Sequence, residues 1–420
     1  MSSRTTFILL LLLVIFSTLV VTQGVGRRDP NDIVIWTQDF VPGRELLLQQ
    51  LELYMEQHPK LKVSLIYYET EELRNNFIIA ALGGSGPDLI YGPSDQVGPF
   101  EVMQIIRPME DLFTPEELAC FQSDALVWWK GHLYQIGDRI GNHLTLVYNK
   151  DLVPVPPKTT DELIVLGQKL TKDFNQDGLI DQYALAWNFV EPYFFVPFLG
   201  GYGGWVMDEQ ALAAGNPLPT LDTPATVKAC QFILDLRNKY RIIPRECDYD
   251  MADAMFKQGK AAMIINGPWS WGGYAKAGVN FDLARIPQIS ETGLWPTPMF
   301  SPKGYSISIN VQGKKLSNVV ELLRFLLSAE MELQFTKNLN TIPSRKEALN
   351  NDIVKNNPIL QHSIEQLEVA KPMPIDPAMR AIWDAMRPAY QLLFSGSLTP
   401  EQAARKMQED AVRKIREMNE

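Results

Sequence analysis

Short apolar runs alternate with helix-spaced runs along this chain, and that alternation constrains its fold more than any other feature. DIVIW (32–36), LKVSLIYY (61–68) and PDLIYG (87–92) are strand-like and rich in β-branched and aromatic residues. Between them, 44–57 carries Leu46, Leu47, Leu51 and Tyr54 on one helical side, and 71–82 forms a second helical stretch ended by GGSG. Strands joined through helices favour a mostly parallel sheet with helices on its faces. In such sheets ligands sit beyond the carboxyl ends of the strands. That places Gln38 and Asp39, and the segment 91–96, near any binding site.

The pattern restarts near residue 144. LTLVYNKDL (144–152) reads as a strand running into a turn, and a helix capped at Thr159 or Thr160 follows a proline-rich loop. Thr223 and Pro224 open a long helix reaching about Tyr240, with proline at its first position. A third α/β stretch covers 249–286, and the chain is mainly helical from Leu316. WWKGHLYQIG (128–137) reads as a hairpin around Lys130 and Gly131, and TPEQ (399–402) is a capping box. With 420 residues there is enough chain for two α/β lobes.

The N-terminus is different in kind. Arg4 precedes FILLLLLVIFSTLVV (7–21), which has no charge; it suits the apolar core of a secretory signal peptide and is short for a membrane span. Residues 1–31 are therefore expected to be a signal peptide or, if uncleaved, an N-terminal membrane anchor. Either way the body is exported to a periplasmic or extracytoplasmic location. No cysteine follows the apolar run, which excludes a lipoprotein anchor. A net charge of −10 without a basic block excludes nucleic acid as a partner. An odd set of three cysteines rules out a fully paired framework; Cys230 and Cys247 are open to pairing, or all three are buried thiols.

Catalytic motifs are missing. GGSGP (83–87) has proline where a nucleophile elbow needs its last glycine, the four histidines are scattered, and no Walker or dinucleotide fingerprint is present. The chain is expected not to be an enzyme. DFNQDGLID (173–181) has calcium-loop spacing, with Asp173, Asn175, Asp177 and Asp181 at positions 1, 3, 5 and 9 and Gly178 at position 6. Ala184 stands where the bidentate glutamate belongs. The loop is thus a candidate structural calcium site or a polar turn, and no other cofactor is expected. Aromatic residues gather at element ends beside polar groups: Trp269 after the turn in INGPWSWGG (265–273), Tyr193 near Glu191, and Trp383 one helical turn before Arg387. Flat rings stack on the C–H faces of sugars while charged groups bind the hydroxyl edges.

Five segments, GSGPDLIYGPSD (84–95), LTLVYNKDLVPVPPKT (144–159), EPYFFVPFLGGYGG (191–204), FKQGKAAMIINGPWSW (256–271) and RAIWDAMRPAY (380–390), give the chain a resemblance to the family 1 extracellular solute-binding proteins of ABC sugar importers. It is most similar to the maltose/maltodextrin-binding branch. The resemblance implies an α/β periplasmic-binding-protein type II fold of two lobes joined by hinge segments. The N-lobe would take 32–141 plus 305–345, and the C-lobe 145–300 plus 350–420. It implies a monomer that closes on an oligosaccharide and delivers it to the transmembrane subunits of an ABC permease. The binding residues it implies are Glu191, Tyr193, Trp269, Trp383 and Arg387 from the C-lobe and Asp39 and Asp95 from the N-lobe. Gln96 and Asn142 replace an arginine and a glutamate of that set, Gly92 replaces a stacking tryptophan, and Asp384 an aromatic. A maltodextrin or other α-glucoside is the expected ligand; a polyol, glycerol phosphate or a membrane-anchored sugar-sensing role are the alternatives. Trp271 is expected to pack beneath the turn that Trp269 leaves.

Overall fold

The computed structural model describes residues 29–420, so the apolar run 7–21 lies outside the described residues. The three early runs form β1 (Asp32–Thr37), β2 (Lys62–Tyr67) and β3 (Leu89–Pro93), joined by helices Val41–Gln57 and Thr70–Leu82. The first helix buries Leu46, Leu47, Leu51 and Tyr54, the face read from their spacing. A hairpin follows, β4 (Leu126–Trp129) and β5 (His132–Ile140), turning through Lys130 and Gly131 at φ 49° and 85°. Two successive positive φ values give the turn the twist that hairpin strands need.

The second lobe contains β6 (Thr145–Asn149), β7 (Tyr183–Ala186), β8 (Ala261–Asn266) and β9 (Phe281–Ala284). Then come β10 (Met299–Phe300), β11 (Lys303–Ile307), β12 (Ile342–Pro343) and β13 (Lys371–Pro372). The N-lobe sheet has seven strands in the order β12-β5-β11-β3-β1-β2, with β4 paired to β5. Only β1 with β2 and β1 with β3 run parallel; β11 enters antiparallel between β3 and β5. The C-lobe sheet, β7-β8-β6-β9, has a single parallel pair. Both sheets are therefore mixed, which corrects the mostly parallel expectation. Parallel pairing follows only where a helix carries the chain back across the sheet; β5 arrives by hairpin and β11 returns from the other lobe.

Among the described residues the chain passes between the lobes three times: from β5 to β6, from β10 to β11, and after the helix Asp352–Lys355. Helices Lys346–Leu349 and Asp352–Lys355 pack on the N-lobe helix Ala329–Leu339, whereas Pro358–Leu367 packs on β9. The helix Pro358–Leu367 also touches Asp352–Lys355, with Leu360 clustered beside Ile342 and Val354, and Lys303 opens β11 of the N-lobe sheet. The short parallel pair β10 and β13 bridges the crossing strands. Each lobe has its own apolar core, with Trp187, Trp271 and Tyr390 fully buried in the second. The helix Ala378–Phe394 crosses the C-lobe with Pro388 inside it, which leaves the Asp384 carbonyl without its helical N–H donor.

Candidate functional site

Strand β8 is buried at all six positions and ends at Asn266, whose side chain organises the turn beyond it. Its oxygen accepts from the Gly267 N–H at 2.9 Å and its amide donates to the Tyr274 hydroxyl at 2.7 Å. The Ser270 hydroxyl donates to the Gly267 carbonyl at 2.7 Å, and Pro268 opens the helix Pro268–Lys276. The Trp269 ring folds back over the turn, so a Cβ added at Gly267 would lie 2.2 Å from it. Glycine leaves the space that the ring occupies, and its φ of −119° makes no demand for glycine on its own. Trp271 is fully buried, edge-on to His143 at 6.3 Å, as expected for packing beneath the turn.

Tyr193 stands between the two cleft tryptophans, its ring centroid 6.3 Å from Trp269 and 6.2 Å from Trp383. Its hydroxyl donates to the Asn142 carbonyl and lies 3.3 Å from the Met299 carbonyl. Both carbonyls belong to segments that cross between the lobes, so the phenol is spent on the hinge and the ring face is what remains for a ligand. Burial, followed by the nearby Asp95 carboxylate, raises this phenol's pKa. On the helix Ala378–Phe394, Arg387 forks onto Glu191 with three contacts of 3.0–3.2 Å. Burial opposes the charge of Arg387, but the hydrogen-bonded Glu191 together with Glu71 and Asp384 outweighs it and raises the pKa.

The opposite wall comes from the carboxyl ends of the N-lobe strands. Asp95 follows β3, and one Arg74 nitrogen sits 2.7 Å from each of its oxygens. Asn142 adopts a left-handed φ of 43° and donates to the Ser301 hydroxyl at 3.1 Å. Between the walls lies a cleft of about 420 Å³. Of the residues expected from sequence, Asp95, Asn142, Glu191, Tyr193, Trp269, Trp383 and Arg387 line it.

Asp39 and Gln96 are placed elsewhere. Asp39 is buried against Lys303 at 2.6 Å and Arg139 at 3.3 Å, in a side cavity of about 30 Å³ adjoining the cleft at Trp269. Burial alone would raise its carboxyl, yet Lys303 and Arg139 hold it below the usual range. Gln96 does not line the cleft: its amide folds onto Gly92, where a Cβ would meet it at 2.7 Å. Without a side chain at 92, the amide fills the vacant space on the strand.

Sequence reasoning missed Phe40, Glu71, Arg74, Tyr249 and Lys303, all of which line the cleft. Phe40 stacks on Tyr249 from the other lobe, with centroids 5.2 Å apart and planes 17° apart. Arg74 and Lys303 carried a usable signal, since each is a cation placed among apolar residues that face a core. Arg74 lies between the core residues Leu73 and Phe77, and Lys303 begins the fully buried β11.

The loop 173–181 closes on itself. Asp173 accepts from the Gly178 N–H at 2.9 Å, Asp181 from the Phe174 N–H at 2.7 Å, and Asn175 from the Asp177 N–H at 3.1 Å. Asp177 accepts from the Leu179 N–H at 2.8 Å. Among the described residues no group of three or more His, Cys, Asp or Glu side chains is placed to hold a metal. Cys230 and Cys247 are unbridged buried thiols, pushed up to about 12 by burial, while Cys120 is exposed rather than buried.

A family model for bacterial extracellular solute-binding proteins matches residues 49–362. The maltotriose-binding protein of Pyrococcus abyssi is 28% identical, covering 85% of this chain and 76% of its own. The galactooligosaccharide-binding protein of Bacillus subtilis is 25% identical, covering 79% of this chain and 78% of its own. Among solved structures, the maltose/maltodextrin-binding domain of Bdellovibrio bacteriovorus bound to maltotriose has 45% identity and a TM-score of 0.88, over 92% of this chain and all of that one. The Thermus thermophilus maltotriose-binding protein bound with maltotriose has 27% identity and a TM-score of 0.81, again over 92% of this chain and all of that one. The architecture is thus the periplasmic-binding-protein type II fold expected from the sequence. Among the described residues no helix is long and apolar enough to cross a membrane.

Proposed function

The chain belongs to the bacterial extracellular solute-binding protein family, and from that premise we propose that it captures a maltodextrin-like oligosaccharide for an ABC importer. The observation that carries this reading is the wall of Trp269, Tyr193 and Trp383 facing ion-paired polar residues across an interlobe cleft. The rings supply apolar faces for pyranose stacking, and the paired carboxylates and guanidiniums supply fixed partners for hydroxyls. A sugar that contacts both walls binds the closed form better than the open one and so drives closure. The closed protein, acting as a monomer outside the cytoplasm, then presents both lobes to the permease's transmembrane subunits.

Charge argues against a phosphorylated ligand. The cleft holds Arg74, Lys303 and Arg387 against Glu69, Glu71, Asp95, Glu191 and Asp250, and each cation has an acidic partner. Hydrolysis is disfavoured for the same reason, because Asp95 and Glu191 are held by arginines rather than left as an acid and a base. A thermal-shift panel tests the proposal: maltotriose and longer maltodextrins raise the melting temperature without releasing glucose. Stabilisation by galactooligosaccharides instead would move the ligand class; product release would refute a binding role.

A further inference from the structure

In the polar rim, Glu71 joins the lobes by charge. Glu71 lies in the first turn of the N-lobe helix Thr70–Leu82, and the C-lobe's Arg380 donates directly to its carboxylate. Arg387 approaches the same carboxylate at 3.6 Å. Each arginine also has a partner in its own lobe: Arg387 has Glu191 at 3.0 Å, and Arg380 has Asp384 at 3.4 Å. Glu71 likewise has Arg74 of its own lobe at 3.5 Å, and Arg74 has Asp95. Separating the lobes would therefore strand none of these charges. It would remove only the contacts from Glu71 to Arg380 and Arg387, so those contacts count toward closure and not toward the fold of either lobe.

We infer that Glu71 is a positioning residue that engages Arg380 and Arg387 across the cleft when the lobes close, making the capture of an uncharged ligand dependent on ionic strength. Arg387 lines the cleft, so fixing it from both sides also sets the donor that a sugar hydroxyl meets. The three side chains are partly exposed, between 23% and 37%, so salt screens them and each contact is modest. Together they correspond to roughly a three- to tenfold change in affinity. A second interlobe pair, Lys276 with Glu45 at 2.6 Å, is more than half exposed and adds less.

The choice of maltotriose as probe rests on the function proposed above; the lobe contact itself does not. Maltotriose dissociation constants are measured by calorimetry from about 20 to about 500 mM NaCl for the wild type, Glu71→Gln, Arg380→Gln and Glu45→Gln. Wild type and Glu45→Gln weaken about three- to tenfold with salt, whereas Glu71→Gln and Arg380→Gln bind more weakly at low salt and lose most of the slope. The exchanged pair Glu71→Arg with Arg380→Glu recovers part of it, which a merely structural role for Glu71 would not produce. Small-angle scattering without ligand gives a second readout: salt opens the wild type, and Glu71→Gln is already open at low salt. A flat wild-type slope, or an unchanged slope in Glu71→Gln, overturns the inference. Should no sugar bind the wild type, the function fails, and scattering alone decides the latch: salt-dependent opening lost in Glu71→Gln supports it, and any other result overturns it.

Discussion

Gly267→Ala isolates the position of one ring. At φ −119° the alanine backbone is unstrained, so the whole effect falls on the new methyl group. That methyl would lie 2.2 Å, 2.3 Å and 2.7 Å from three carbons of the Trp269 ring. Ordinary carbon contacts need about 3.5 Å, so the ring must retreat by about 1.3 Å or swing into the cleft. Trp269 is half-buried and has room to move, which keeps the loss of global stability to about 1 kcal/mol or less, partly offset by the lower unfolded-state entropy of alanine. Binding fares worse, because the stacking surface is displaced. A base stacked on an aromatic ring is held by about 1–3 kcal/mol, and on that scale losing the stacking surface entirely would weaken maltotriose binding by roughly 5- to 150-fold, with a displaced ring falling toward the lower end. Calorimetry on Gly267→Ala, Trp269→Ala and the double variant completes a cycle. In the Trp269→Ala background the alanine has nothing to strike and should cost almost nothing. An equal penalty in both backgrounds, or wild-type affinity in Gly267→Ala, would refute the placement of Trp269 over the turn.

Lys303→Met leaves Asp39 buried with only the longer Arg139 contact, and urea titration should show a loss of about 2–4 kcal/mol at neutral pH. Because the folded carboxyl lies below its ordinary value of 3.8, the pairing contributes above that value and is lost as pH falls through the lower folded one; the gap to wild type should close on acidification. Glu332 behaves oppositely: burial pushes it up to about 8 from 4.5, despite hydrogen bonds from Ser344 at 2.6 Å and the Arg345 N–H at 2.8 Å. Its folded form keeps a proton that the unfolded chain gives up, so stability should fall as pH rises from about 4.5 to about 8, and Glu332→Gln should flatten that decline in melting temperature. Thiol titration of the native protein should find one fast-reacting cysteine, Cys120, with Cys230 and Cys247 reacting only on unfolding; a single thiol after full denaturation would mean that those two are bridged.

Local patterns in the sequence foretold what local physics decides. The helix face of Leu46, Leu47, Leu51 and Tyr54, the caps at Thr159 and Thr399, and the Lys130–Gly131 hairpin all follow from spacing and turn chemistry. The C-lobe half of the cleft was legible because its ring and its arginine sit in recognisable contexts, one after a turn and one on a helix face. The N-lobe half was harder. The Asp39 partners Arg139 and Lys303 lie 100 and 264 residues away in sequence, so nothing near Asp39 shows that its charge is already taken. Gln96 likewise turned inward because Gly92 left a space, a packing effect between two side chains that no residue type announces alone. Strand direction failed for a related reason, since β11 owes its orientation to a detour through the other lobe.

That detour also governs the order in which the molecule is made. Strand β11 sits in the middle of the N-lobe sheet, yet it is synthesised after every strand of the C-lobe sheet. The C-lobe in turn waits for its last two helices, Ala378–Phe394 and Pro400–Asn419. A growing chain of 300 residues therefore holds two unfinished cores and no finished one. Neither lobe can be cut out as a continuous segment, and neither core can be completed before the final quarter of the chain arrives; contacts so distant in sequence slow folding. For a protein whose family works outside the cell, the same threading leaves neither lobe complete until synthesis is nearly finished.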